Sequence, residues 1–165
     1  MPTPRVNFER RSKSPARKTC APRTDLPDAG GHMGALVDSN LIIDALASSP
    51  LALRKLEEVE NRGLVTLVPT PALFEIERGL LDRKSRTAAG HFRAMMARFP
   101  SAAFDEAAAS RAAEVHHELR RLGRQKGTVD VMLAGIALSG GHLLLSRDRD
   151  LAEIAEVTGL AVEPY

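Results

Sequence analysis

The stretch GALVDSNLIIDAL, Gly34 to Leu46, decides how the chain is read. A short apolar run, Ala35-Leu36-Val37, stops at Asp38. Ser39 and Asn40 follow, and Leu41, Ile42, Ala45 and Leu46 then recur at helical spacing. This is a strand that ends, turns at once and opens a helix, with an acid at the junction. In open α/β sheets the carboxyl ends of the strands are where ligands sit.

Outward from that stretch the pattern alternates. Ser39 to Ala47 reads as a short helix and Leu51 to Asn61 as a second, with Ala52, Leu56 and Val59 on one face. Leu64 to Val68 is expected as a buried strand. Helices follow at about Pro71–Asp82, with proline in the first turn where it is tolerated, and at Arg86–Phe99. Ala102 to Phe104 is a candidate short strand. Asp105 is placed to cap a helix to about Leu122 with the stripe Ala108, Ala112, Val115, Leu119 and Leu122. Thr128 is expected to cap an almost wholly apolar, hence buried, helix from Val129 to Leu138. A strand at His142–Leu145, a polar turn, a helix at Asp150–Val157 and an edge strand at Leu160–Val162 complete the series. Strands separated by helices imply crossover connections and a mainly parallel sheet of about five short strands, covered on both faces.

Residues 1–33 differ from the rest. They hold seven Lys/Arg against Glu9, Asp25 and Asp28, so this segment is about +4, and the body about −2 given the stated total of +2. Such a segment lacks the apolar residues to offset its ordering entropy and is expected to be a basic, disordered extension. Two readings stand: a basic arm on nucleic acid, or an extension upstream of a native start at Met33, which is preferred. The body, 34–165, is one domain. With aromatics at 4% its core must be aliphatic. No apolar run is long enough to span a bilayer, and the single Cys20 excludes an internal disulfide. A cytoplasmic protein is expected.

Four acids fall at comparable points of this map: Asp38 after the first strand, Glu75 in the helix after the second, Asp130 in the first turn of the buried helix and Asp148 in the turn after Leu143–Leu145. Each has an ordinary structural explanation as a cap, a helix-dipole partner or a turn residue. Gathered at one sheet edge they would repel one another and require a proton or a cation. An all-oxygen donor set selects a hard cation such as Mg²⁺ or Mn²⁺, whose chemistry suits phosphodiester hydrolysis. Gly79, a helical turn beyond Glu75, leaves room for an approach.

The segments around these acids, Val37 to Ile42, Phe74 to Leu80, Thr128 to Ala134 and Leu145 to Leu151, resemble the four acidic motifs of PIN-domain ribonucleases, most of all the VapC-type toxins of bacterial toxin–antitoxin pairs. The resemblance covers roughly Ala35 to Tyr165. It departs at Val131-Met132-Leu133, where Ile-Ala-Ala is commoner in the family, and at Leu151, where Phe is frequent. It implies a PIN-like three-layer α/β/α domain and Mg²⁺- or Mn²⁺-dependent cleavage of single-stranded RNA to 5′-phosphate and 3′-hydroxyl ends. It also implies a VapB-type antitoxin that occludes the site, and a homodimer. On it, Asp38, Glu75, Asp130 and Asp148 are catalytic, with Asp38, Asp130 and Asp148 as metal ligands and Ser39, Asn40 and Asp150 in support. Arg120, Arg121, Arg124, Lys126, Arg147 and Arg149 are candidate RNA-phosphate contacts. The alternative is a catalytically inactive or receiver-like binding module. A receiver would want a lysine at a comparable edge position, and the sequence does not reveal one.

Overall fold

The computed structural model describes residues 34–83 and 86–165. The expected basic extension, 1–33, therefore lies outside the described residues. The elements run β1 (Ala35–Val37), α1 (Ser39–Leu46), α2 (Pro50–Asn61), β2 (Thr66–Pro69), α3 (Thr70–Arg83), α4 (Arg86–Met96), β3 (Ser101–Ala102), α5 (Glu106–Arg121), α6 (Thr128–Gly140), β4 (Leu143–Leu145), α7 (Arg149–Thr158) and β5 (Val162–Glu163). The five strands form one sheet in the order β3-β2-β1-β4-β5, and every pairing is parallel.

Alternation along the central strands builds the layers. Side chains of a strand point to opposite faces in turn. Leu36 and Leu144 enter one core with the apolar faces of α5, α6 and α7. Ala35, Val37, Leu143 and Leu145 enter the other with α1, α2 and α4. α3 contributes Ala72 to the first core and Ile76 to the second. The result is the expected three-layer α/β/α sandwich, with strands buried on both faces as parallel sheets require.

The chain leaves β1 for β2 and β3 on one side and returns to β4 and β5 on the other. The switch of direction therefore lies between β1 and β4, and ligands of open α/β sheets bind at such a point. β1 and β4 are in register at Val37↔Leu145. Asp38 N–H donates to the Leu145 carbonyl at 3.3 Å, so Asp38 and Ser146 leave the sheet side by side.

Local chemistry moves several expected boundaries. Strands β2 and β3 sit one to two residues from where the apolar runs place them. β5 is Val162–Glu163, because Leu160 packs into the core instead. Leu122 is the C-cap of α5 and 59% exposed, so the apolar stripe stops at Leu119. Thr128 is not the cap of α6 but its first residue. The N-cap is Gly127, which makes no side-chain cap bond, and its N–H is taken by the carboxylate of Asp130. This is the acid half of a capping box. Lys55, on the inner face of α2, is buried with Glu163 and Glu58 as its partners. Arg62 reaches the same Glu163 at 2.9 Å, and the pair latches α2 to the edge strand.

α6 is the element that must be seated most closely. A Cβ at Gly135 would stand 2.5 Å from the Ala108 carbonyl oxygen and 2.7 Å from Ala112 Cβ, both on α5. Gly135→Ala is expected to force the two helices apart and cost about 1–3 kcal/mol, read as a lowered melting temperature. A variant that melts with wild type would show that the contact gives way at no cost.

Candidate active site

Asp38 is 2% exposed. It caps α1, its Oδ1 accepting the Leu41 N–H at 2.8 Å, while the Ser146 hydroxyl donates to Oδ2 at 2.5 Å. The same Ser146 oxygen accepts the Asp148 N–H at 3.0 Å. One hydroxyl thus ties the acid of β1 to the turn that carries the acid after β4. Asp148 repeats the arrangement. It caps α7, and its Oδ1 accepts the Asp150 N–H at 2.8 Å. Burial raises the Asp38 carboxyl above its usual range and the charge of Asp148 adds to this. The bonds from Ser146 and Leu41 and the charge of Arg147 work against it.

Asp130 sits at the third position of α6. Its carboxyl is pushed up to about 6, first by burial and then by the charges of Asp148, Asp150 and Glu75. Gly127 makes room for it: a Cβ there would fall 2.7 Å from Asp130 Oδ2. Glu75 is half-buried on α3. It lines a cleft of about 300 Å³ with Ile43, Leu46, Ile76, Gly79 and Leu80, and at Gly79 a Cβ would meet open space. Asp130 therefore lies in the fields of Glu75, Asp148 and Asp150, and Asp38 in that of Asp148.

The supporting residues divide. Ser39 is half-buried and Asn40 exposed in the first turn of α1. The hydroxyl on Asp38 belongs instead to Ser146, which the sequence reading did not single out. Asp150 accepts from Lys126 at 2.8 Å, and Glu153 shares that ammonium. Lys126 is thus a lysine at this edge, held by α7 acids. Arg124 pairs with Glu156 at 3.1 Å and Arg147 with Asp44 at 3.0 Å. Arg120 and Arg121 are exposed in the last turn of α5, where they suit the helix dipole, and Arg149 is exposed at the start of α7.

The sequence profile of the PIN domain family matches residues 35–157. The chain belongs to the PIN domain family. Solved structures share the fold. VapBC2 from Rickettsia felis bound to a promoter DNA fragment is 18% identical over 81% of this chain and 99% of that one, with a TM-score of 0.71. DNA-bound VapBC from Salmonella typhimurium is 22% identical over 80% and 98%, at 0.66. FitAcB from Neisseria gonorrhoeae is 20% identical over 78% and 95%, at 0.60. At these identities the likeness establishes the architecture. No curated protein matches the sequence.

Within this PIN domain the donor set is made of carboxylates alone, which fits a hard divalent cation. Among the described residues no group of three His, Cys, Asp or Glu side chains stands at metal-ligating spacing. Asp130 and Asp148 are half-buried beside the buried Asp38, a basin of acids at the sheet edge, and these three are the residues that would hold such an ion.

A carboxyl held near 6, against 3.8 ordinarily, makes the protonated form the favoured one in the fold. The stability it confers is full below about pH 4 and is lost as pH rises through about 6. Without divalent cations, Asp130→Asn is therefore expected to match wild type in melting temperature near pH 4 and to be more stable by about 1–2 kcal/mol at pH 7, allowing for solvent screening. A variant less stable than wild type at pH 7 would contradict a charge at Asp130 penalised by burial and by its acidic neighbours.

Proposed function

We propose that this PIN domain is a Mg²⁺- or Mn²⁺-dependent endoribonuclease that cuts single-stranded RNA, and the toxin of a toxin–antitoxin pair neutralised by a VapB-type antitoxin. The observation that carries the reading is the basin itself: Glu75, Asp148 and Asp150 act on Asp130 and Asp148 also acts on Asp38, and the Asp130 carboxyl is raised by burial and then by those charges. Like charges so gathered call for a cation. The likeness to VapBC complexes supports the toxin part.

Asp38, Asp130 and Asp148 would hold the ion. When bound it supplies Lewis acidity, activating a water and stabilising charge on phosphate oxygens. The chain's own residues do the rest. Asp38 is held in place by the Leu41 N–H and the Ser146 hydroxyl, whose bonds partly offset the cost of burying its charge. Gly127 lets Asp130 lean back onto the start of α6. Glu75, on the open wall beside Gly79, orients the attacking water in line with the scissile phosphate. The leaving group is the 3′ oxygen, so the ends are 5′-phosphate and 3′-hydroxyl. With few aromatics in the chain, the grip on RNA is through backbone and shape rather than base stacking.

The partners follow from exposed apolar ground. The cleft beside Glu75 is lined by Ile43, Leu46, Ile76 and Leu80, and an antitoxin segment seated there would cover the site. Phe74 and Leu81, two turns apart on α3, are 60% and 77% exposed and suit a homodimer contact. Among the described residues no helix is long and apolar enough to cross a membrane. A toxin that cuts RNA and is covered by an antitoxin belongs in the cytoplasm, where its substrate is.

With Mg²⁺ and single-stranded RNA, Asp38→Asn and Asp130→Asn are each expected to lose about a hundredfold or more in cleavage rate. Gly127→Ala, which displaces only the Asp130 carboxylate, is expected to lose activity with little change in melting temperature. Variants of Asp38 and Asp130 as active as wild type would end the nuclease reading. Harmless expression of wild type without an antitoxin would end the toxin reading alone.

A further inference from the structure

The β4–β5 register delivers two side chains to the rim of the basin. Leu145 is the partner of Glu163, and Arg147 and Tyr165 each follow two residues on. The Arg147 guanidinium lies 5.4 Å from the centre of the Tyr165 ring. Its Nη2 is 3.0 Å from Asp44 Oδ2, and the Tyr165 hydroxyl donates to that same oxygen at 3.3 Å. Residues from α1, from the β4–α7 turn and from the stretch after β5 thus close a triangle.

An arginine stacked by its face keeps its edge donors. The fork carries five N–H groups, and Asp44 takes the Nη2 corner. The Arg147 side chain is 55% exposed, and its charge is felt at Asp38. Arg124 and Lys126 are both engaged by acids of α7. Arg147 is held by Asp44 and the Tyr165 ring, and of these cations it is the one whose charge acts on Asp38. A long side chain must give up rotamer freedom to grip a phosphate; here the ring and Asp44 have removed that freedom beforehand.

We propose that Arg147 binds a phosphate of the RNA strand beside the acid basin, and that Tyr165 and Asp44 are positioning residues that hold its guanidinium for that contact. The inference rests on the nuclease reading and names how that site takes its substrate. Tyr165 touches no reacting atom. Its effect passes through Arg147, so the two side chains must act as one unit.

The test uses the full chain and a fluorescein-labelled, mixed-sequence single-stranded RNA, with binding followed by anisotropy in Ca²⁺ over a series of salt concentrations. Arg147→Ala is expected to raise Kd about five- to tenfold and to reduce the slope of log affinity against log salt by about one, the signature of one lost phosphate contact. Tyr165→Ala should reproduce most of that loss, and Tyr165→Phe, which keeps the ring, should bind like wild type. The Arg147→Ala/Tyr165→Ala double variant should bind no more weakly than Arg147→Ala. In cleavage with Mg²⁺, Arg147→Ala should raise KM and leave kcat within about twofold. Should Tyr165→Ala fail to fold, Asp44→Asn carries the same comparison. An unchanged Kd and salt slope in Arg147→Ala, or independent addition of the two losses, overturns the proposal. Wild type that binds RNA through Arg147 but leaves it uncut with Mg²⁺ supports the contact and overturns the nuclease reading. Wild type that cuts RNA while Arg147→Ala binds it equally well overturns the contact alone.

Discussion

The structure depends on a carboxylate placed where water hardly reaches it. Asp38 is 2% exposed at the point where β1 and β4 part, and a buried charge is tolerated only if it is hydrogen-bonded or paired. Its partners come from the two directions the chain takes there: the Leu41 N–H from the helix it opens, and the Ser146 hydroxyl from the neighbouring strand. Both need the Val37↔Leu145 register and the flat apolar packing of Leu36, Val37, Leu144 and Leu145 on either side of the sheet. A one-residue slip between these strands would exchange the two cores and separate Asp38 from Ser146.

The helix caps and the proposed metal-binding acids are one arrangement here. Asp38, Asp130 and Asp148 each accept a backbone N–H at the start of a helix, from Leu41, Gly127 and Asp150. A helix start offers unpaired N–H groups and a positive partial charge, so it both needs an acid and holds one still. Three helix starts converge on one sheet edge because all five strands run parallel. The caps fix the carboxylates without neutralising them, and the Asp130 carboxyl is raised by burial and then by the acids around it. Lys126 offsets Asp150 and Glu153, further along α7.

Much of this is legible in sequence because it is local. An apolar triplet followed at once by an acid and a helical pattern locates Asp38, a triplet followed by a polar turn and a helical pattern locates Asp148, and the position of Asp130 in a wholly apolar helix locates it too. What depends on pairing is not legible. Ser146 is one polar residue in a polar turn until β4 is laid beside β1. Arg147, Tyr165 and Asp44 are unrelated until β5 is in register with β4. Lys55 reads as a solvated lysine until Glu163 of the edge strand is seen to face it. By residue type alone Thr128 is the better cap for α6, yet the structure puts Gly127 there. The acid three residues after Gly127 already satisfies the orphan N–H, and a glycine is needed where Asp130 Oδ2 comes so close.

The central claim is that the acids are assembled for a divalent cation. Calorimetric titration of Mn²⁺ into the full chain, at pH 7.5 and at pH 5, tests it most directly. The account predicts saturable binding at pH 7.5, weaker binding at pH 5 with protons released as Asp130 ionises, and loss of binding in Asp38→Asn and Asp130→Asn. No saturable binding at pH 7.5, or binding that those two substitutions leave unchanged, would contradict it.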